Sequence, residues 1–118
     1  MSQGAANYPI TIEQGATFNR VLTLTDSDGN LINLTGYSAR MTIRRANDFE
    51  TVLIELTTVN ARIALGGAAG TVTLSISDSD TAALEAEVGV YDLEIESAGG
   101  TVTRLIQGTA TIDREVTV

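Results

Sequence analysis

The feature that most constrains this chain is an alternation of apolar and polar residues that recurs along most of its length. In YSARMTIRR, residues 37–45, Ala39, Met41 and Ile43 alternate with arginine and threonine. Successive side chains of a β-strand point to opposite faces, so this pattern predicts a strand with one buried face. Other segments repeat the pattern, and the predicted strands lie within residues 8–15, 16–25, 37–45, 51–58, 62–65, 71–77, 90–97 and 101–113.

Some of these predictions depend on an exact register. In the second strand Leu22 and Leu24 share a face, and Phe18 joins them if a β-bulge carries Arg20 outward, which we expect here. Gly108 is expected to bend the last segment, which is either one long strand or a pair of strands. In the fourth segment the alternation predicts three inward residues, which are Val52, Ile54 and Leu56.

Only SDSDTAALEAEV, residues 77–88, breaks the period of two. Ser77 or Asp78 can cap a helix, and Asp80 favours the positive end of the helix dipole. The alanine-rich stretch that follows favours a helix of roughly two or three turns, which is too short to be stable alone. We therefore predict a short helix that connects two strands and packs over one end of the sheets.

The segment LTLTDSDGNLINLTGY, residues 22–37, carries an acidic loop. Asp26, Asp28 and Asn30 alternate in the manner of a calcium-binding loop, but such a loop also needs a glycine directly after Asn30 and a glutamate at its end. Here the glycine comes early and the glutamate is missing. A tight hairpin turn explains the same residues, since Asp-Gly and Asn are typical of turns.

Strands at a spacing of about ten residues, joined by turns rich in glycine and aspartate, predict an antiparallel sandwich or barrel. Strands with one apolar face pack most simply as two sheets around one core. At 118 residues the chain is expected to be a single domain, 1–118, in which residues 1–8 form a flexible N-terminal arm.

Composition argues against several kinds of function. The chain has no histidine, cysteine or lysine, so the commonest general base, thiolate metal sites and Schiff-base chemistry are all missing. A net charge of −8 argues against binding to nucleic acid or anionic lipid. No segment approaches the roughly 18 apolar residues of a membrane span, and no signal peptide is recognisable. We predict a soluble protein that is not an enzyme and needs no cofactor or metal ion.

Asp92, Glu94 and Glu96 are the densest set of carboxylates, and the alternation puts them on one strand face. Paired carboxylates at a suitable spacing can hydrolyse glycosidic bonds. A glycosidase also needs a cleft, usually with aromatic platforms, and a chain with two Phe, three Tyr and no Trp offers few of them. The favoured interpretation is a strand face in contact with water.

Arg40, Arg44 and Arg45 form the only basic cluster in the sequence. Their guanidinium groups can bind an anion or an acidic partner in bidentate geometry. In so acidic a chain, ion pairs with glutamates on adjacent strands are the simpler explanation. These three arginines are nevertheless our candidates for a contact between proteins.

Several stretches that together cover most of the chain occur in the order of a known type of domain. They are QGATF (14–18), LTLTDSDGN (22–30), NLTGYSARMTIR (33–44), GTVTLSISDSDTAAL (70–84), GVYDLEI (89–95), GTVTRLIQGTATI (100–112) and EVT (115–117). This order, with the acidic short helix before G-x-Y-D-L-E, resembles the immunoglobulin-like domain of tailed-phage virion proteins, best known as the N-terminal domain of baseplate upper proteins.

The resemblance implies an all-β, immunoglobulin-like antiparallel β-sandwich of about 7–9 strands with one short connecting helix and no catalytic activity. It also implies a structural module that is assembled in the bacterial host cytoplasm and docks in several copies onto other virion proteins at a tail or baseplate. In baseplate proteins a further region follows this domain, whereas this sequence stops at Val118, which favours a small stand-alone protein of tail or capsid.

Two other functions remain open at this point. A capsid decoration (cement) protein would have the same fold and charge as a tail module, and only its location on the particle would differ. A host-surface carbohydrate-binding module belongs to a different class, and the scarcity of aromatic residues counts against it.

Overall fold

The computed structural model describes residues 6–115 and consists mainly of β-strands. A single 3₁₀ turn (Gly67–Ala69) and one short helix, α1 (Asp78–Ala82), interrupt the strands of this part of the chain. The strands are β1 (Ala6–Asn7), β2 (Ile10–Glu13), β3 (Phe18–Thr23), β4 (Ser38–Arg45), β5 (Asp48–Thr57), β6 (Ile63–Leu65), β7 (Thr71–Ile76), β8 (Val88–Glu96) and β9 (Val102–Asp113).

The strands form two sheets around one apolar core. The larger sheet has the order β1-β9-β8-β4-β5, with β2 also paired to β9, and the smaller sheet has the order β3-β7-β6. β1 and β2 run parallel to β9, and the other pairs of strands are antiparallel. After the N-terminal strands, β3, β6 and β7 form one sheet and β4, β5, β8 and β9 the other, as in an immunoglobulin-like domain. The predicted all-β sandwich is confirmed.

The core is built by the alternation that the sequence displays. Every second residue of β4, β7 and β8 is buried, because each of these strands turns one face towards the opposite sheet. The prediction for these three strands is confirmed for Ala39, Met41, Ile43, Val72, Leu74, Ile76, Tyr91, Leu93 and Ile95.

The start of the described chain belongs to the larger sheet. β1 pairs with β9 at Ile106 and Gln107, and the backbone N–H of Tyr8 donates to the Gln107 carbonyl oxygen at 2.8 Å. The predicted arm of residues 1–8 is therefore in part a paired strand, and residues 1–5 lie outside the described residues.

The bulge that we expected in β3 does not exist. β3 pairs with β7 without any shift of register, so Arg20 lies opposite Leu74 and on the same face as Phe18. Because β3 is an edge strand, the arginine stem can cover apolar surface while its charge stays near water. The guanidinium carbon lies 4.8 Å from the centre of the Phe18 ring, at cation–π distance.

A bulge occurs instead in β5, and it makes one prediction wrong. Ile43 faces Ile54, whereas the next residue of β4, Arg44, faces Val52, so Leu53 is an extra residue in the pairing. The extra residue reverses the alternation, and Val52 is 47% exposed rather than inward. The other two residues predicted to point inward from this strand are buried.

The predicted short connecting helix is confirmed as α1, but with five residues it has about one and a half turns and not the two or three expected. Ser77 caps it by accepting a hydrogen bond from the Asp80 backbone N–H at 3.2 Å. The buried hydroxyl of Thr81 donates to the Ala16 carbonyl at 2.9 Å and accepts from the Gly15 N–H at 3.1 Å, which fixes α1 against the turn before β3. The described residues include no helix long and apolar enough to cross a membrane.

The acidic loop after β3 is a tight turn, as predicted. One carboxylate oxygen of Asp26 accepts the backbone N–H groups of Asp28, at 2.9 Å, and Asn30, at 3.0 Å. The Gly29 N–H donates to the Asp26 carbonyl at 3.0 Å, with φ of +86° at Gly29. The aspartate side chain thus holds the turn by bonding to its own backbone.

Candidate functional site

The larger sheet has an outward surface that the smaller sheet does not cover. The outward residues of β4 and β8, together with the β5 and β9 residues that pair with them, form what we call the outer face. Directly paired residues point to the same side of a sheet, which defines the membership of this face. Its polar and charged members are Ser38, Arg40, Thr42, Arg44, Glu55, Thr57, Asp92, Glu94, Glu96, Arg104, Gln107, Thr109 and Thr111.

A ladder of ion pairs crosses the middle of the outer face. Arg40 contacts Glu94 and Glu96, each at 3.0 Å, and Arg104 lies 3.4 Å from Asp92 and 4.0 Å from Glu94. Hydrogen bonds to Glu96 and then Glu94 raise the pKa of Arg40. The three carboxylates lie on one strand face, as the alternation predicts, and each of them is engaged by an arginine of a neighbouring strand.

Arg45 lies away from the other two candidate arginines. It ends β4, and its guanidinium group forms a bidentate contact with Glu87 at 2.8 and 3.3 Å. The hydrogen bonds between these groups raise the pKa of Arg45 and lower the pKa of Glu87. Arg45 is thus committed to fixing the end of β4 against the segment before β8.

Arg44 is the candidate arginine that forms no ion pair with a carboxylate of the described residues. One of its nitrogens donates to the Phe49 carbonyl at 2.8 Å. Its neighbours across the sheet are Val52 on β5 and Val90 on β8. Arg44 therefore combines an exposed cation with an apolar setting, which is typical of residues at protein interfaces.

Arg40 and Arg44 share a shallow, open depression of about 600 Å³ on the outer face. The Phe49 side chain, 63% exposed, stands at one end, and Asp92 and Gln107 contribute to the floor. The structure therefore brings together two of the three arginines chosen from the sequence. The pairing of β4 with β8, strands far apart in sequence, creates this site.

The sequence does not predict the exposed apolar residues beside the arginines. Val52 was expected to point inward, and the bulge turns it outward. Phe49 and Val88 are also exposed, at 63% and 48%. Phe49 lies between two predicted strands, where apolar and polar residues do not alternate, so no signal in the sequence marks it as exposed.

A second depression, of about 770 Å³, opens between the edges of the two sheets beside β3 and β9. Its walls are mostly apolar and include Leu22, Leu24, Ile32, Leu105 and Ile106. These side chains pack partly against the core, so the depression is an extension of the gap between the sheets.

Tyr91 is one of the residues that line the depression on the outer face. Its hydroxyl donates to the Tyr8 carbonyl oxygen, where the chain passes from β1 to β2. Gly108 allows this passage, because a Cβ atom there would lie 3.0 Å from the Tyr8 carbonyl oxygen. β9 is one long strand, and its shift of register against β8 falls at Leu105 rather than at Gly108.

Burial raises the pKa of Tyr91 to about 12. The fold therefore favours the neutral phenol. The stability that this preference contributes is fully present below pH 10.0, the ordinary pKa of tyrosine, and is lost as the pH rises through about 12. We expect one phenol of the native protein to ionise near pH 12 when tyrosinate absorbance is followed during titration. Tyr91→Phe should remove this step and Tyr37→Phe should retain it; a step that persists in Tyr91→Phe would contradict the assignment.

Within residues 6–115 no three acidic side chains converge as metal ligands would. The sequence matches no protein-family model and no curated protein.

Proposed function

We propose that this chain is a non-catalytic structural protein of a bacteriophage virion, a tail or baseplate module that docks in several copies onto other virion proteins. The observation that supports this proposal best is the outer face, on which a ladder of paired charges adjoins exposed apolar residues. The order of the sequence segments, which resembles that of tailed-phage domains, supplies the virion context.

The outer face suits docking better than chemistry. Three of its four carboxylates, on Asp92, Glu94 and Glu96, are held in place by ion pairs with Arg40 and Arg104. Side chains that are already ordered lose little conformational freedom when a partner binds. Arginine is enriched among the residues that contribute most to binding at protein interfaces, and Arg44 lies here beside the apolar Val52.

The proposal is tested on particles of the phage whose genome encodes this chain. Mass spectrometry with isotope-labelled peptides should find it in purified particles at a fixed number of copies relative to a known tail protein, and in tails separated from capsids. Recovery with capsids alone would make it a decoration protein, and its absence from washed particles would contradict a structural role.

A pair of matched variants tests the surface. Phe49→Ser/Val52→Ser removes two exposed apolar residues of the outer face, and we expect incorporation into particles to fall at least about tenfold, as for loss of an interface centre. Val21→Ser/Leu31→Ser removes two similarly exposed residues elsewhere, at 58% and 54% exposure, and should be incorporated normally. Equal incorporation of both variants would exclude the outer face as the docking surface.

A further inference from the structure

We infer that the outer face binds a second copy of this chain, in a two-fold dimer in which Arg44 of each copy pairs with Glu55 of the other. This inference deepens the proposed function, because it names another copy of this chain as the virion protein that covers the outer face, and it rests on that function for the presence of several copies in one particle. Its evidence is the charge pattern of the outer face.

Arg44 and Glu55 are the charged residues of the outer face that make no ion pair within the described chain. Both side chains are exposed. The remaining charges of this face, on Arg40, Arg104 and the three β8 carboxylates, are paired with one another. Arg44 and Glu55 are therefore the one cation and the one anion of this face that remain outside its ion pairs.

The geometry of a flat face makes this leftover pair self-complementary. Glu55 lies opposite Thr42 and Arg44 lies opposite Val52, so the two charged residues stand on adjacent strands without contact. A two-fold axis that runs parallel to the face and crosses the line between the two residues at its midpoint, at a right angle, brings each residue against the copy of the other. Two equivalent Arg44–Glu55 contacts therefore form together, as an isologous interface requires.

Charge does not oppose self-association through this face. The chain carries a net charge of −8, so two copies repel each other at most orientations. The outer face has three arginines against four carboxylates, which leaves it close to neutral. Two copies that meet here therefore bring together faces with little net charge.

Apolar residues beside Arg44 supply the remaining contact. Val52 and Val90 flank it on either side, and Phe49 adjoins it through the Arg44 hydrogen bond. Four strands at a spacing of about 4.8 Å, and roughly eight residues long at about 3.3 Å each, give a projected face of about 500 Å². This is below the roughly 800 Å² per partner of a standard interface, so we expect micromolar association.

Sedimentation velocity of the purified chain over a range of concentrations tests the inference. The native chain should shift from 12.4 kDa to twice that mass at micromolar concentrations. Arg44→Glu and Glu55→Arg should each weaken dimerisation at least about tenfold, because each places like charges together twice per dimer. The double variant Arg44→Glu/Glu55→Arg should restore dimerisation to within about threefold, since it re-forms both contacts with the charges exchanged.

A charge-matched control separates this pair from a general effect of charge. Arg114→Glu/Asp28→Arg exchanges two exposed charges that make no ion pair in the described chain and lie outside the outer face, and it should dimerise like the native chain. Circular dichroism confirms that each variant is folded. A chain that stays monomeric at all concentrations, or a double variant no better than the single ones, overturns the inference. Neither result bears on whether the chain is found in particles, so failure here is distinct from failure of the proposed function.

Discussion

Leu93→Ala should lower the free energy of unfolding by about 3 kcal/mol, within the range of about 2–5 kcal/mol found for buried leucines. Leu93 has no exposed surface and lies on β8, with Met41 of β4 and Ile106 of β9 as its partners across the sheet. Removal of its methyl groups leaves a cavity between two sheets that cannot collapse without disturbing their pairing. For a domain stable by about 5–15 kcal/mol, the melting temperature should fall on the order of 10 °C.

Urea unfolding followed by circular dichroism measures this effect. The urea concentration at the midpoint of unfolding should fall. The slope of the free energy of unfolding against urea concentration should stay the same, because the same surface is exposed on unfolding. Val59→Ala is the control, since Val59 is 95% exposed and its loss should change stability by no more than about 0.5 kcal/mol. A loss below about 1 kcal/mol for Leu93→Ala would mean that this residue is not enclosed between the sheets.

Gly70→Ala should cost about 3 kcal/mol, for two reasons that add. Gly70 has φ of +69°, a conformation that costs other residues about 1–2 kcal/mol. A Cβ atom there would also lie 2.9 Å from the Ile32 carbonyl oxygen and 3.0 Å from that of Leu24, and these are backbone atoms that cannot easily move. The substitution should therefore disturb the place where the end of β3 meets the start of β7.

Gly29→Ala isolates the conformational part of this cost. Gly29 has φ of +86°, but a Cβ atom there would have no neighbour within 4 Å. Its substitution should cost about 1 kcal/mol, clearly less than that of Gly70, when both variants are unfolded in urea beside the native chain. Equal costs would mean that Gly70 is not tightly enclosed by the two carbonyl groups.

Alternation predicts those strands that are paired on both sides and keep one register. β7 is such a strand, paired with β3 and with β6 without a shift of register, and its buried residues alternate as the sequence predicts. β5 has only one neighbouring strand, and Leu53 bulges out of the pairing and reverses the pattern at Val52. A bulge depends on how two strands pair, which is information that the sequence of one strand does not contain.

Arg20 illustrates the opposite error. An arginine in an apolar series suggested a bulge, because a charge cannot be buried without a partner. β3 lies at the edge of its sheet, so the side chain reaches water from the inner face and no bulge is needed. Position within the sheet, rather than local pattern, decides which residues are tolerated.

The candidate site was predictable in its residue types and not in its arrangement. Neighbouring positions in sequence suggested that Arg40, Arg44 and Arg45 act together. In the sheet, Arg40 meets glutamates of β8, Arg45 meets Glu87, and Arg44 is left without a carboxylate among the described residues. These differences arise from pairing between strands about fifty residues apart in the chain, and the same pairing makes Arg44 the residue on which the proposed contact depends.

Cryo-electron microscopy of the particle tests the central claim most directly. The account predicts density for a two-sheet sandwich of this size in several symmetric copies at the tail or baseplate, with the outer face of the larger sheet in contact with another protein. Complete particles without such density at any site, from a preparation in which the chain is expressed, would contradict a virion structural role.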